Sequence, residues 1–180
     1  MSRIGKKPIT IPAGVTCTYE NGIVTVSGKL GKLEQKINNL IKVDISATEI
    51  TLTPVNNSRQ ANSLHGLSRT LIANMVEGVT NGFTKNLIIN GVGAKVFEKN
   101  GSIELKLGFS HPVEFKAPEG IKLSCPSVTE IKVFGFDKQK VGQVAANIRA
   151  IKPVEPYHLY GIRYDYEVVV KKEGKTAAKK

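Results

Sequence analysis

The sequence predicts an α+β protein made of two tandemly duplicated small domains, each an antiparallel-rich sheet packed against one helix. Three observations carry this. Asn21-Gly22 and Asn100-Gly101 each separate two β-rich runs, and such a pair is a strong hairpin signal because both residues tolerate positive φ. Two later segments change to helical spacing of apolar residues. The order, strands and then one helix, occurs twice at a nearly constant offset: Asn21-Gly22 matches Asn100-Gly101, Thr48-Glu49-Ile50 matches Thr129-Glu130-Ile131, and Arg69 falls near Arg149. The predicted domains are 1–82 and 83–170, followed by a basic tail over 171–180.

In the first half, Val15 to Tyr19 and Ile23 to Val26 read as hairpin strands. A turn over Gly28 to Lys32 leads to a third strand, Leu33 to Ile37. Val43 to Ser46 and Ile50 to Thr53 complete the set, which Pro54 ends. From Ser58 to Thr80, Leu64, Leu67, Leu71, Ile72, Met75, Val76 and Val79 recur at helical spacing and define one apolar face. Asn81-Gly82 stops that helix, with glycine suited to the left-handed residue past a helix end.

The second half repeats the programme. Leu87 to Ile89 and Ala94 to Glu98 are predicted strands separated by Gly91-Val92-Gly93, and Ile103 to Leu107 follows the second Asn-Gly. Val113 to Lys116, Ile121 to Cys125 and Ile131 to Phe134 come next. Asp137 offers a helix N-cap, Val141, Val144, Ala145 and Ile148 mark the inner face, and Pro153 terminates the helix. The run Lys152 to Gly161 holds two prolines and a glycine, which forbid a regular helix or central strand and predict a fixed, extended loop. A last strand is predicted over Ile162 to Val170, with Ile162, Tyr164, Tyr166, Val168 and Val170 on one face. Residues 171–180 lack apolar periodicity and are expected to be disordered in isolation.

The chain has 180 residues, 26 Lys and Arg against 15 Asp and Glu, and a net charge of +11. That excess points to a polyanion, either nucleic acid or an anionic membrane surface. Residues 1–82 carry +4 and residues 83–180 carry +7, with +4 of the latter in the last ten residues. The basic groups gather at Arg3, Lys6 and Lys7, around Lys85 and Lys95, and at Arg163 with Lys171, Lys172 and Lys175. Each would neutralise phosphate, or else simply solvate a face. Gly91 and Gly93 would either let backbone approach a phosphate or close a tight turn. Tyr157, His158 and Tyr160, beside Gly161, would stack on unpaired bases or ribose; the alternative is that Tyr157 and Tyr164 pack on the helix, and for Tyr164 that packing is the expectation.

Other classes fall away. No apolar run approaches a membrane span of about 18 to 20 residues. The basic start has no hydrophobic segment behind it, so no secretory signal is read there. Cys17 and Cys125 are far apart and expected to be small, mostly buried apolar residues; no metal site and no cofactor is expected. His65 reads as a structural histidine on the apolar face. No catalytic pattern is present, and Gly91-Val92-Gly93-Ala94 precedes a strand rather than a helix, so it is no dinucleotide fingerprint. No catalysis and no small-molecule substrate are expected, and the chain reads as cytoplasmic.

Four stretches are distinctive when taken together: Met1 to Ile9 with Ile11 to Val15, Met75 to Lys85, Leu107 to Val113 and Asp137 to Arg149. In them the chain resembles, over almost its full length, one family, bacterial ribosomal protein six of the large subunit. The resemblance implies two similar α+β domains bound to large-subunit ribosomal RNA on the ribosome, with neighbouring ribosomal proteins. It places the protein near the factor-binding side and the sarcin–ricin loop, with most RNA contacts from the C-terminal domain. The family loop usually reads Pro-Glu-Pro-Tyr-Lys-Gly-Lys-Gly. Here His158, Leu159 and Tyr160 stand where Lys, Gly and Lys are usual, and Ala94 stands where an aromatic is common. The alternative is a peripheral protein on anionic membranes, which calls for a basic amphipathic helix. The two predicted helices carry little positive charge on their outer faces.

Overall fold

The computed structural model describes residues 2–99 and 101–175. Asn100 of the second hairpin turn and residues 176–180 of the basic tail lie outside the described residues. The chain forms two compact units: Met1–Phe83 with Phe136–Lys138, and Thr84–Gly135 with Gln139–Lys180.

The first unit holds two three-stranded sheets and a helix. Strands β2 (Thr16–Glu20), β3 (Ile23–Ser27) and β4 (Lys32–Lys36) form one antiparallel sheet in the order β2-β3-β4. The other, β1-β6-β5, joins β1 (Ile9–Thr10), β5 (Ile41–Ile45) and β6 (Glu49–Pro54). The Asn21-Gly22 turn forms because both residues take positive φ, +51° and +78°, the geometry a two-residue hairpin loop requires. Strand β1, only two residues long, is too short to carry a periodic signal in the sequence.

Helix α1 (Arg59–Thr80) starts where Ser58 Oγ accepts the Ala61 N–H at 3.1 Å, a side-chain N-cap. It ends at Asn81, after which Gly82 takes φ +74°. Its Ile72, Met75, Val76 and Val79 join Val24, Val26, Ile41 and Ile50 of the strands in one core. Leu67 corrects the expected face, being 53% exposed. The buried stripe runs through Ala61, His65, Ser68, Ile72 and Val76, and Leu67 lies one residue, about 100° of rotation, off Ser68. His65 is buried and structural. Its Nε2 lies 3.0 Å from the Leu52 carbonyl; a carbonyl only accepts, so Nε2 is the protonated nitrogen.

The second unit repeats the plan. Strands β8 (Lys95–Lys99), β9 (Ser102–Lys106) and β10 (Val113–Lys116) form a sheet ordered β10-β9-β8. Strands β7 (Phe83–Asn90), β11 (Ile121–Ser127), β12 (Glu130–Gly135) and β13 (Gly161–Tyr164) form another, ordered β11-β12-β7-β13. Helix α2 (Lys138–Ile151) buries Val141, Val144, Ala145 and Ile148, the four expected residues. The architecture is thus duplicated α+β, as the sequence predicts.

The last strand is shorter than predicted. It stops at Tyr164, and Glu167 N–H turns back to the Tyr164 carbonyl at 3.2 Å. Tyr166, Val168 and Val170 are therefore exposed (63%, 89% and 78%) instead of sharing a covered face. The cause is a competing polar contact: Arg149 donates to both carboxylate oxygens of Glu167, at 2.9 and 2.5 Å. Cys17 and Cys125 are unpaired thiols, half-buried rather than mostly buried, and burial raises both pKa values. Among the described residues no helix is long and apolar enough to cross a membrane.

The two positions on α1 make a direct contrast. Ile72→Ala, at a fully buried site, is expected to cost about 2–5 kcal/mol, and Leu67→Ala less than about 0.5 kcal/mol, in urea unfolding. Equal losses would contradict the assigned helix face.

Candidate nucleic-acid interface

Strand β13 pairs antiparallel with β7, setting Gly161 opposite Asn90 and Tyr164 opposite Leu87. That register decides what stands at the head of the two strands. The turn Gly91–Ala94 leaves β7, and the loop from Lys152 to Tyr160 enters β13. They meet there: Asn90 Nδ2 donates to the Leu159 carbonyl at 3.0 Å, and a Cβ placed on Gly91 would lie 3.9 Å from that of Tyr160.

The loop is fixed by its own backbone. Glu155 N–H donates to Tyr160 O at 2.9 Å, Leu159 N–H to Glu155 O at 3.0 Å, and Ile162 N–H to Lys152 O at 2.8 Å. Gly161 takes φ +139°, and an added Cβ would meet Pro153 O at 2.6 Å, so only glycine fits. Leu159 takes φ +63°, a conformation that costs a residue with a side chain on the order of 1 kcal/mol or more. Gly91 and Gly93 also have positive φ, and Ala94 N–H closes their turn on Gly91 O at 3.2 Å. Of their two sequence-based readings, the tight turn is the one with direct geometric support.

This end of the unit carries exposed rings. Tyr157, His158 and Tyr160 are all exposed, so Tyr157 does not pack away on the helix. His158 stacks on Tyr160 with centroids 5.6 Å apart and planes 20° apart, and its Nδ1 lies 3.2 Å from both Glu155 carboxylate oxygens. The described part of the tail runs beside the loop: Lys172 N–H donates to Pro156 O at 2.9 Å. Lys171, Lys172 and Lys175 are exposed, as is Lys95, which follows the glycine turn directly.

Sequence reasoning missed a neighbouring loop. Lys152 Nζ donates to the Leu107 carbonyl and stands 5.4 Å from the Phe109 ring centroid. Phe109 is 46% exposed. The available signal was an aromatic residue between Gly108 and Ser110, with neither strand nor helix to bury it.

A second cluster surrounds the far end of β13. Lys85 Nζ lies 4.6 Å from the Tyr166 ring centroid and 5.9 Å from that of Tyr164. Tyr164 also lies 5.9 Å from Arg149 of α2, the helix contact expected for it. Arg163, expected to face phosphate, spends Nη1 on the Glu167 carbonyl at 3.0 Å. The hydrogen bonds from Arg149 hold the Glu167 carboxyl below its ordinary range, helped by the Tyr164 N–H and the charges of Arg149 and Arg163, against partial burial. The same pairing raises Arg149.

Arg3, Lys6 and Lys7 belong to the first unit and form a separate group, all exposed. Their turn is held by Lys6 N–H to Ser2 O at 3.3 Å, Lys7 N–H to Ile4 O at 3.2 Å, and Arg69 Nε to Lys7 O at 3.2 Å. Gly5, between them, is wedged on His65: an added Cβ would sit 2.5 Å from Nδ1. Among the described residues no group of three His, Cys, Asp or Glu could hold a metal ion.

Comparison with known proteins gives a consistent result. A family model described as Ribosomal protein L6 matches residues 11–82 and 90–165, one segment for each repeat. The chain is 49% identical over 176 residues to large ribosomal subunit protein uL6 of Exiguobacterium sibiricum, covering 98% of this chain and 99% of that one. It is 48% identical to the uL6 protein of Chlorobium phaeobacteroides, over 99% of this chain and 100% of that one. For the uL6 protein of Cupriavidus necator the identity is 47%, over 97% and 99%.

Two measurements probe this geometry. Gly161→Ala is expected to lower stability by more than about 2 kcal/mol, because positive φ and backbone overlap act together; an unchanged urea midpoint would contradict the loop geometry. The Glu167 carboxyl is depressed in the folded state, so its contribution is full above the ordinary value of 4.5 and is lost as pH falls through the folded value below it. The stability gap between the wild-type protein and Glu167→Gln is therefore expected to be widest near neutral pH and to close on acidification. A gap independent of pH would contradict the ion pair.

Proposed function

Because the chain belongs to the ribosomal protein L6 family, we propose that it binds large-subunit ribosomal RNA, chiefly through the end of its second unit where the Gly91–Ala94 turn meets the Lys152–Tyr160 loop. The family consists of structural constituents of the large ribosomal subunit, not enzymes. This chain is such a constituent and serves translation on the cytoplasmic ribosome. The observation that carries the finer reading is the convergence, at the head of β7 and β13, of a fixed loop, three exposed rings and exposed lysines.

In this reading residues 83–170 are the main RNA-binding half. Lys85, Lys95, Arg163, Lys171, Lys172 and Lys175 neutralise phosphates, with Arg3, Lys6 and Lys7 adding a second group from residues 1–82. Tyr157, His158 and Tyr160 stack on unpaired bases or ribose, while Gly91, Gly93 and Gly161 shape the backbone that presents them. The RNA met here lies near the factor-binding region and the sarcin–ricin loop, the place the family resemblance implies, among neighbouring ribosomal proteins. No membrane and no small-molecule substrate enter.

Two experiments test this. Tagged protein in a salt-washed lysate is expected to sediment with the large-subunit fraction; finding it free would overturn the assignment. The double variant His158→Lys, Tyr160→Lys is expected to steepen the slope of log affinity for ribosomal RNA against log salt by about 0.7 to 0.9 for each lysine. An unchanged slope would mean that this loop does not face phosphate.

A further inference from the structure

The turn after β13 is more firmly built than its position near the end of the fold requires. Asp165 N–H donates to Asn86 O at 3.3 Å, Asn86 Nδ2 to Asp165 Oδ2 at 3.2 Å, and Tyr166 N–H to Asp165 Oδ1 at 2.8 Å. Glu167 Oε2 accepts the Tyr164 N–H at 3.2 Å while Arg149 holds the same carboxylate twice. This polar structure holds the turn that presents the Tyr166 ring to solvent at 63% exposure. Its ring stacks on Tyr164 at 5.2 Å and 15°, and Lys85 Nζ lies 3.3 Å from its hydroxyl.

An exposed, immobilised aromatic ring beside an ammonium group matches a ligand that pairs a flat π-face with an adjacent anion. A nucleotide has both. A protein carboxylate lacks the flat base, and an apolar side chain lacks the anion. The acidic groups here are already engaged, Glu167 by Arg149 and Asp165 by Asn86 and the Tyr166 amide. Lys85, Arg149 and Arg163 against Asp165 and Glu167 leave one positive charge in excess. We propose that Tyr166 and Lys85 form a binding site for one unpaired nucleotide of ribosomal RNA, the base stacking on the Tyr166 ring and Lys85 meeting its phosphate. This rests on the RNA-binding reading above. It adds a contact at the other end of β13, four residues or roughly 13 Å from the Tyr160 loop.

The test uses the full chain and large-subunit ribosomal RNA freed of protein. Tyr166→Leu is expected to weaken binding by roughly 5- to 150-fold, the span of one base stack, with an unchanged salt slope. Tyr166→Phe should stay close to wild type. Lys85→Gln is expected to flatten the salt slope by about 0.7 to 0.9, and it reads out the site independently should Tyr166→Leu misfold. Wild-type affinity in folded Tyr166→Leu, or an unchanged slope in Lys85→Gln, overturns the site while leaving RNA binding intact. Wild-type protein that does not bind the RNA overturns the RNA-binding reading itself.

Discussion

The pairing of β13 along β7 is the contact on which the functional surface depends. Four residues on each strand form it, with Gly161 against Asn90 at one end and Tyr164 against Leu87 at the other. At the first end it anchors a proline-bounded loop beside a glycine turn, and Asn90 ties the two together through the Leu159 carbonyl. At the second it delivers the chain to the Tyr164–Glu167 turn. A one-residue slip would turn every side chain of β13 to the opposite face, taking buried Ile162 out of the core. Gly161 prevents the slip sterically, since no other residue fits against the Pro153 carbonyl.

Rigid presentation suits the RNA binding proposed for a ribosomal protein that performs no chemistry. Its loop and turn are satisfied within the fold by backbone bonds and by the pairs Arg149–Glu167 and Glu155–His158, so little ordering remains to oppose binding. The strain at Leu159 fits this picture. A side chain occupies a left-handed position where the family loop commonly has glycine, held by the Leu159 amide and carbonyl hydrogen bonds. With rings at 158 and 160 in place of two lysines, the RNA contact proposed for this loop rests on stacking more than on counterion release.

Most of the fold was legible because its signals are local. Consecutive positive φ at Asn21 and Gly22 is written in the residue types, and the faces of α1 and α2 are written in their spacing. The repeat was legible as an order of elements. The end of β13 was not, because Ile162, Tyr164, Tyr166, Val168 and Val170 alternate as a true strand would. What defeats that pattern is an ion pair to Arg149, 18 residues away in sequence. Leu67 misled for a related reason, since its spacing from Leu64 and Leu71 is helical but the buried stripe is centred elsewhere. At the site, the basic residues and loop aromatics were legible by type. Phe109 and Lys152 were not, because their meeting depends on a contact spanning 45 residues.

The most direct measurement of the central claim places a photoactivatable amino acid at position 160 of the full chain and irradiates assembled large ribosomal subunits. An adduct to large-subunit ribosomal RNA is the result expected of a loop that faces RNA. Adducts to ribosomal proteins alone, in subunits that have incorporated the chain, would contradict it.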